Sequence, residues 1–324
     1  MTDQGRGECV YLSDSWGVHD QRWCTALETL GFSVTRELTG NTHPALPIIT
    51  GPLTTTSPQL CDLPNPVIGL SWGFDLHDLK ASGHTAWLSR LDGIIVDSQP
   101  TWDIARNAGI PIDHIAMIPW GIDLGQFVPH REQLRGARLT ILTLRAHEPL
   151  YRVETVIEAA KLLENMGCEN ELIIGNTGSL TNQLENLALE LGLSNVSFIG
   201  KVAESDLPEF FNNADVYVSA AQTDGTSVTL LQAMSMKVPV VVSDSPGNIA
   251  LLKATDNAHE VNHVIDRGTL FQTNNASSLA HALMNIKSDQ QVIDQQVNAA
   301  WEYVQTNANW NQNIERLLPL LGSR

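Results

Sequence analysis

The sequence predicts an α/β fold built from two doubly wound domains, each containing a parallel β-sheet. Short apolar runs typical of buried strands alternate with helical patterns along nearly the whole chain of 324 residues. This length is enough for about two domains of ~100–200 residues each. A polar stretch without strong periodicity, residues 128–138, separates two series of alternating elements, and we interpret it as the linker.

The composition restricts the class of protein. Hydrophobic residues make up 43% of the chain and charged residues 17%, which disfavours an extended disordered protein. The net charge of −17 disfavours a sequence-independent nucleic-acid binder, so we expect no nucleic-acid partner. The four cysteines form no C-x-x-C pair, and no apolar stretch approaches ~18 residues. We therefore expect a cytoplasmic protein that is not an integral membrane protein.

The first half of the chain contains the first series of strands and helices. A glycine ends two of its predicted helices, at Gly31 and Gly109, and Ser98 is placed to cap the second of them. Strands are predicted at residues 10–12, 32–34, 46–50, 66–70, 93–96 and 115–119, and helices at 22–30, 85–91 and 98–108. We predict that residues 1–130 form an N-terminal Rossmann-like domain.

The second half repeats the alternation. Strands are predicted at residues 139–144, 171–175, 196–200, 216–219 and 238–243, and helices at 153–166, 180–191, 204–212, 228–236 and almost throughout 277–321. We predict a second Rossmann-like domain at residues 138–300. Since ligands of such sheets bind outside the carboxyl ends of the strands, we expect the two domains to face each other across a cleft.

The segment from Ser219 to Asn248 has the pattern of an anion site. A buried strand ends at Ser219, a polar loop follows, and Thr226 or Ser227 caps the next helix. Unpaired backbone N–H groups and the helix dipole favour an anion at such a helix N-terminus. An ordinary capped helix has the same spacing, so the spacing alone leaves that alternative open.

This segment resembles the C-terminal half of the retaining glycosyltransferases of family 4, the glycosyl transferases group 1, which have GT-B architecture. The resemblance rests on an acid and a glycine, Asp224-Gly225, with Gln232-Ala233-Met234 beginning eight positions after the acid. It implies that Asp224 contacts the donor sugar and that Gly225, Thr226 and Ser227 bind the donor diphosphate. It places Gln232 where the family has a ribose-binding acid, and a neutral amide binds a ribose diol more weakly than a carboxylate does.

A second segment that supports the resemblance follows the strand at residues 139–144. The family has an arginine there and usually a lysine five positions later, both on the donor diphosphate, and here Arg145 and Leu150 occupy these positions. We expect Arg152, or Lys201, to replace the missing lysine. The chain has no D-x-D triplet, so we expect a metal-independent site in which Arg145 stabilises the leaving diphosphate.

The resemblance implies that the N-terminal domain binds the acceptor. Two loops that follow predicted strands carry the candidates, the stretch from Ser13 to Asp20 and the stretch from Ser71 to Asp75. The second loop resembles the family's Gly-x-Asp loop. Two alternatives stay open, namely that the first loop is only a capped helix N-terminus and that the tryptophan of the second is core. The predicted acceptor-side residues are Gly17, His19, Trp72, Gly73 and Asp75, of which His19 and Asp75 are also catalytic candidates.

Two further segments extend the resemblance over the whole chain. Residues 118–127 are similar to the signature that ends the family's N-terminal domain, and residues 301–324 are similar to its C-terminal helix, which packs back on that domain. The implied function is a retaining, metal-independent glycosyltransferase without a cofactor. It would move a sugar from a nucleotide-diphosphate sugar to a hydroxyl of a carbohydrate, lipid or small-molecule acceptor. A nucleotide-sugar epimerase of the same architecture and a non-catalytic sugar-nucleotide-binding relative remain alternatives.

Overall fold

The computed structural model describes residues 7–14, 16–40, 42–54, 57–130, 138–224, 226–252, 264–265, 267–288 and 290–322. The chain divides into two compact units. The first unit is drawn from Met1–Trp120 and Trp310–Arg324, and the second from Gly121–Asn309. Most of the predicted linker, residues 131–137, lies outside the described residues.

The first unit contains a six-stranded sheet in which every pair of neighbouring strands is parallel. Its strands are β1 (Gly7–Leu12), β2 (Phe32–Thr35), β3 (Ile48–Thr50), β4 (Val67–Leu70), β5 (Gly93–Val96) and β6 (Ile115–Met117). Their order across the sheet is β2-β1-β3-β4-β5-β6. Strands β4 and β5 are buried along their whole length, as expected for a sheet covered on both faces.

Among the described residues of the first unit, three α-helices lie between these strands. They are α1 (Val18–Thr29), α2 (Phe74–Ala81) and α3 (Gln99–Asn107). The predicted helix ends are confirmed, because Gly31 and Gly109 have φ values of 90° and 95° and Ser98 caps α3. The helix predicted at residues 85–91 is a 3₁₀ helix, Ala86–Arg90. The sequence analysis did not predict α2, since a helix this short shows almost no apolar periodicity.

The second unit contains a seven-stranded sheet. Its strands are β7 (Leu139–Thr143), β8 (Asn170–Gly175), β9 (Val196–Gly200), β10 (Val216–Ser219), β11 (Val240–Ser243), β12 (Val264–Ile265) and β13 (Gly268–Phe271). The order is β12-β13-β11-β10-β7-β8-β9, and all pairs are parallel except β12 with β13. This last pair was not predicted from the sequence, because strands of two and four residues carry too little pattern.

In the part of the second unit that the structure describes, seven α-helices connect the strands or follow them. They are α4 (Val153–Asn165), α5 (Thr181–Glu190), α6 (Leu207–Asn213), α7 (Val228–Ser235), α8 (Pro246–Leu252), α9 (Ala276–Met284) and α10 (Gln290–Asn307). Helices α4 and α9 supply apolar side chains to one buried cluster with β7, β8 and β10. None of the helices in the described part of the chain is long and apolar enough to cross a membrane.

The C-terminal segment after α10 belongs to the first unit. It consists of α11 (Trp310–Asn313), a 3₁₀ helix (Ile314–Leu317) and α12 (Leu318–Gly322). Ile314 and Leu317 are buried, and the ring of Trp310 stacks on Trp120 with centroids 5.5 Å apart. The guanidinium carbon of Arg22 lies 4.9 Å from the centroid of the Trp310 ring, which adds a cation–π contact.

Strand order decides which loops become neighbours. In the second unit β7 pairs with β10, so the loops after these two strands leave the same edge of the sheet side by side. In the first unit only β3 separates β1 from β4. The carboxyl ends of these strands therefore carry the two groups of predicted site residues, one group in each unit.

Candidate functional site

In the second unit, the residues after β7 and β10 meet at the side chain of Arg145. Its Nη2 atom forms an ion pair with Oδ2 of Asp224 at 2.7 Å. Its Nη1 atom donates to Oγ of Ser227 and, at 3.5 Å, to Oγ1 of Thr229. The ring of Tyr151 lies against the guanidinium, with 4.2 Å between Cζ and the ring centroid. Three predicted residues, Arg145, Asp224 and Ser227, are thus brought together.

The electrostatics of this cluster keep Arg145 charged. The side chains of Arg145 and Asp224 are only 10% and 18% exposed. Burial alone would lower the pKa of Arg145, but the Asp224 carboxylate and the neighbouring tyrosine hydroxyls raise that pKa above its usual range. Burial raises the pKa of Tyr217, which stays neutral and donates its hydroxyl proton to Oγ1 of Thr229 at 2.8 Å. The cluster is a positively charged group held in place by a carboxylate and hydroxyls.

The N-terminus of α7 lies at this cluster. Ser227 is the N-cap residue, and its Oγ accepts from the backbone N–H of Leu230 at 3.4 Å. Of the two predicted caps, the structure selects Ser227, and Thr226 precedes it in the chain. Gly225 lies outside the described residues. The positive end of the α7 dipole and the guanidinium of Arg145 therefore favour an anion at the same place.

Gln232 lies one turn along the same helix. Its side chain is 3% exposed, and its Oε1 atom is buried without a hydrogen-bond partner among the described residues. A buried amide oxygen without a donor costs free energy, so such atoms are rare in folded proteins. The role of Gln232 at the ribose stays a prediction.

Arg152, the predicted replacement for the missing lysine, is engaged by a neighbour. Its Nε atom lies 3.2 Å from Oε1 of Glu154, and its backbone has the left-handed φ of 49° at the start of α4. Lys201 is exposed after β9. A role of Arg152 at the diphosphate stays a prediction, and in this structure its charge is balanced by Glu154.

In the first unit, Asp75 directs its carboxylate at the backbone. Its Oδ2 accepts from the N–H of Leu53 at 2.8 Å, and its Oδ1 accepts from Oγ of Ser71 at 2.7 Å and from the N–H groups of Trp72 and Leu76. Burial raises the pKa of Asp75 to about 6, although these four donors act in the opposite direction. The carboxylate joins the loops after β3 and β4, and its predicted catalytic role stays a prediction.

His19 and Trp72 lie together at the carboxyl edge of the first sheet. The centroid of the His19 ring is 5.2 Å from that of Trp72 and 4.7 Å from that of Trp120. The Nε1 atom of Trp72 is buried without a hydrogen-bond partner among the described residues. Gly73 has a φ of 92° and is the N-cap residue of α2. The two loops thus place an imidazole and an indole side by side.

Gly17 takes part in capping α1. Its N–H donates to Oδ2 of Asp20 at 2.6 Å, and Oδ1 of Asp20 accepts from the hydroxyl of Tyr11 at 3.0 Å. The structure thus places Gly17 at the N-cap of α1 and Asp20 in its first turn, where the carboxylate accepts from the N-cap backbone; a further role of this loop stays a prediction. The cap fixes the start of α1, where His19 lies.

Three side chains that hold Arg145 were not predicted from the sequence. Tyr151 follows it by six residues, while Tyr217 and Thr229 lie on β10 and α7. The available signal was a tyrosine inside an otherwise aliphatic strand, followed by a helix whose first turn carries a hydroxyl. This pattern does not show that these side chains contact Arg145, because strand order is not visible in the sequence.

The sequence and the fold are similar to those of known proteins. The model of the family described as glycosyl transferases group 1 matches residues 128–303, more than half of the chain. An uncharacterized glycosyltransferase of Methanocaldococcus jannaschii is 30% identical over 161 residues, which cover 49% of this chain and 38% of that protein. The UDP-Gal:alpha-D-GlcNAc-diphosphoundecaprenol alpha-1,3-galactosyltransferase of Escherichia coli is 27% identical over 192 residues, which cover 54% and 46%. The matches span less than half the length of these relatives.

A solved structure resembles the chain over nearly its whole length. The structure of Anabaena HepE in complex with UDP has a TM-score of 0.74 at 14% identity and covers 98% of this chain and 100% of its own. An identity this low shows the fold alone. The fold is α/β of the GT-B type with two Rossmann-like parallel sheets, as the sequence predicted.

Proposed function

The chain belongs to the glycosyl transferases group 1 family, and from that premise we propose that it is a retaining glycosyltransferase. In this proposal it transfers a sugar from a nucleotide-diphosphate sugar to an acceptor hydroxyl, without a metal ion and without a cofactor. The acceptor is a carbohydrate, a lipid or a small molecule. A cytoplasmic location is part of the proposal.

One observation carries the proposal, namely the placement of Arg145 at the N-cap of α7 beside Asp224. A guanidinium and a helix N-terminus together suit a diphosphate, because its several charged oxygens can accept hydrogen bonds from several fixed donors. The leaving diphosphate gains negative charge as the glycosidic bond breaks. Fixed positive groups stabilise that charge, and this is usually the largest contribution to catalysis.

In this proposal each predicted site residue of the second unit has a role in binding the donor. Arg145, Ser227 and Thr226, with the backbone of Gly225, bind the diphosphate, and Asp224 accepts from a hydroxyl of the donor sugar. Gln232 accepts from the ribose through its buried Oε1 atom. Arg152 becomes a phosphate ligand only if it leaves Glu154.

On the first unit we propose that the acceptor contacts His19 and Trp72, whose rings are neighbours at the carboxyl edge of its sheet. The apolar face of an indole suits the C–H face of a sugar ring. Gly17 and Gly73 shape the two loops. Asp75, whose carboxylate already accepts four hydrogen bonds, acts in this proposal as a positioning residue that joins the loop of Trp72 and Gly73 to the loop after β3.

The test is incubation with a panel of UDP-, GDP- and ADP-sugars and measurement of released nucleoside diphosphate, with and without simple sugar and glycolipid acceptors. We expect release from at least one donor and a product whose anomeric configuration, read by NMR, equals that of the donor. Recovery of an epimerised donor without nucleotide release would support the epimerase alternative instead. Binding without any turnover would support the non-catalytic relative.

A variant ties the activity to the site. Arg145→Ala should reduce turnover by about 10²–10³-fold, the usual cost of removing one donor to a developing negative charge. Lys161→Ala is the matched control, because it removes a cation of the same unit that pairs with Glu164 on α4. Near-normal turnover in Arg145→Ala would remove Arg145 from the phosphate site.

A further inference from the structure

The ion pair between Arg145 and Asp224 has a consequence for which ligands this site prefers. The carboxylate lies 2.7 Å from Nη2, while Nη1 is directed to the hydroxyls of Ser227 and Thr229. The ring of Tyr151 covers the guanidinium at 4.2 Å. The Nη2 end of the guanidinium therefore already has a partner within the protein, the carboxylate of Asp224.

An anion that binds Arg145 through Nη2 competes with this carboxylate. Both side chains are largely shielded from solvent, so their attraction is screened less than it is for an exposed pair. A phosphate oxygen at Nη2 also brings a second negative charge close to Asp224. Like charges in a partly buried site repel, so Asp224 has to turn away or lose affinity for the ligand.

What Asp224 gains on turning away depends on the ligand. A nucleotide sugar offers hydroxyl donors from its sugar, and a charge-assisted hydrogen bond can replace part of the lost ion pair. A free nucleoside diphosphate has no hydroxyl beyond its phosphates at that end, so the displaced carboxylate gains nothing and faces a larger phosphate charge.

We propose that Asp224 acts as a specificity residue that discriminates the sugar-bearing donor from the nucleoside diphosphate product by competing with the diphosphate for Arg145. This inference rests on the proposed function and adds a task for Asp224 beyond contact with the sugar. It accounts for how the product can leave a site that contains a fixed guanidinium and a helix N-terminus.

The experiment is calorimetric titration of the wild type and of Asp224→Asn with UDP and with UDP-glucose, and with GDP and GDP-mannose as a second pair. Asparagine keeps the size of the side chain but removes its charge. UDP should bind Asp224→Asn about five- to thirty-fold more tightly than it binds the wild type, since a neutral acceptor competes less for Arg145. UDP-glucose should change by less than about threefold, because the weaker competition is offset by a weaker bond to the sugar.

Two variants serve as controls. Glu190→Gln, at the exposed end of α5, makes the same change in net charge and should leave all affinities unchanged. Asp224→Glu keeps the carboxylate and should keep the ratio of the two dissociation constants closer to that of the wild type than Asp224→Asn does. Thermal melts of each variant establish that it is folded. If Asp224→Asn does not fold, Asp224→Ala, which also removes the charge, carries the test with the same expected result.

The outcomes separate the inference from the proposed function. If the wild type binds a nucleotide pair and the ratio of the two dissociation constants in Asp224→Asn stays within twofold of the wild-type ratio, the inference is wrong while the proposed function stands. If the Glu190→Gln variant shows the same change as Asp224→Asn, the effect is one of net charge and the inference is again wrong. If the wild type binds none of UDP, GDP and ADP and none of UDP-glucose, GDP-mannose and ADP-glucose, the proposed function is wrong and the inference is wrong with it.

Discussion

Gln232→Glu tests the nucleoside side of the site, because it restores the charge that the family pattern has at this position. In the structure the Gln232 side chain is 3% exposed and its Oε1 has no donor among the described residues. A ribose diol presents two donors. A carboxylate accepts from both with charge assistance, whereas the amide offers one acceptor oxygen and two donors.

The magnitude follows from the difference between charged and neutral hydrogen bonds. Bonds to charged groups contribute about 1.5–3 kcal/mol and neutral bonds about 0.5–1.5 kcal/mol. The difference of roughly 1–2 kcal/mol corresponds to nucleotide binding that is about five- to thirty-fold tighter in the variant. The same burial makes the new carboxylate costly without a ligand, and we expect the free energy of unfolding to fall by about 1–3 kcal/mol.

The assay is calorimetric titration with nucleoside diphosphates, together with thermal melts with and without saturating nucleotide. The gain in affinity should shrink for a 2′-deoxynucleotide, and the loss in Tm should shrink when nucleotide is bound, because the ribose hydroxyls supply the missing donors. Gln296→Glu is the matched control, since Gln296 is also buried but donates to the carbonyl of Gly268 from α10. It should lower Tm without changing nucleotide affinity.

Two results would refute this reasoning. Unchanged or weaker binding of every nucleoside diphosphate to Gln232→Glu would mean that the side chain does not face the ribose. An equal gain for ribose and deoxyribose nucleotides would mean that the new charge acts on some other part of the ligand.

Three further predictions concern the metal, the cap and the buried acid. Turnover should persist in excess chelator, because Arg145 and the N-terminus of α7 supply the positive charge; loss that Mg²⁺ or Mn²⁺ restores would contradict this. Ser227→Ala should lower stability by about 1 kcal/mol and weaken nucleotide binding. Asn275→Ala removes the comparable cap of α9 and should lower stability alone. If both variants bind the nucleotide with equal affinity, Ser227 serves only as a cap. Because burial raises the pKa of Asp75 to about 6, the folded protein takes up a proton at Asp75 as the pH falls from 7 to 5, while the unfolded chain does not. The free energy of unfolding of the wild type should therefore rise by about 1 kcal/mol relative to Asp75→Asn over this interval, as read from urea melts, and a parallel pH dependence of the two proteins would place the pKa of Asp75 in its ordinary range.

The alternation of strand and helix patterns was sufficient to predict both parallel sheets, because burial on both faces requires apolar runs that are visible locally. Helix ends were predictable because they depend on the local chemistry of a glycine or a cap residue. Gly31 and Gly109 adopt positive φ, and Ser98 caps α3, as local chemistry dictates. The pair of β12 and β13 and the short helix α2 escaped prediction, since elements of so few residues have no measurable period.

The side-chain partnerships came from the tertiary structure. Arg145 and Ser227 are 82 residues apart and meet because β7 and β10 are neighbours in the sheet. The sequence placed both residues after strands but carried no information on strand order. It also proposed Asp75 as a catalytic group, and only the fold revealed that four donors from two loop segments and α2 surround its carboxylate.

By itself, then, the sequence determined the class of fold, the family resemblance and the residue types available for binding a diphosphate, because periodicity, turn chemistry and short motifs are local properties. The tertiary structure alone decided that Asp224 pairs with Arg145, that Arg152 pairs with Glu154, and that the oxygen of Gln232 is buried without a donor among the described residues. The Arg145–Asp224 pair joins segments far apart in the chain, which the order of strand pairing brings together. The other two depend on local backbone conformation and on helix packing, which short motifs do not specify.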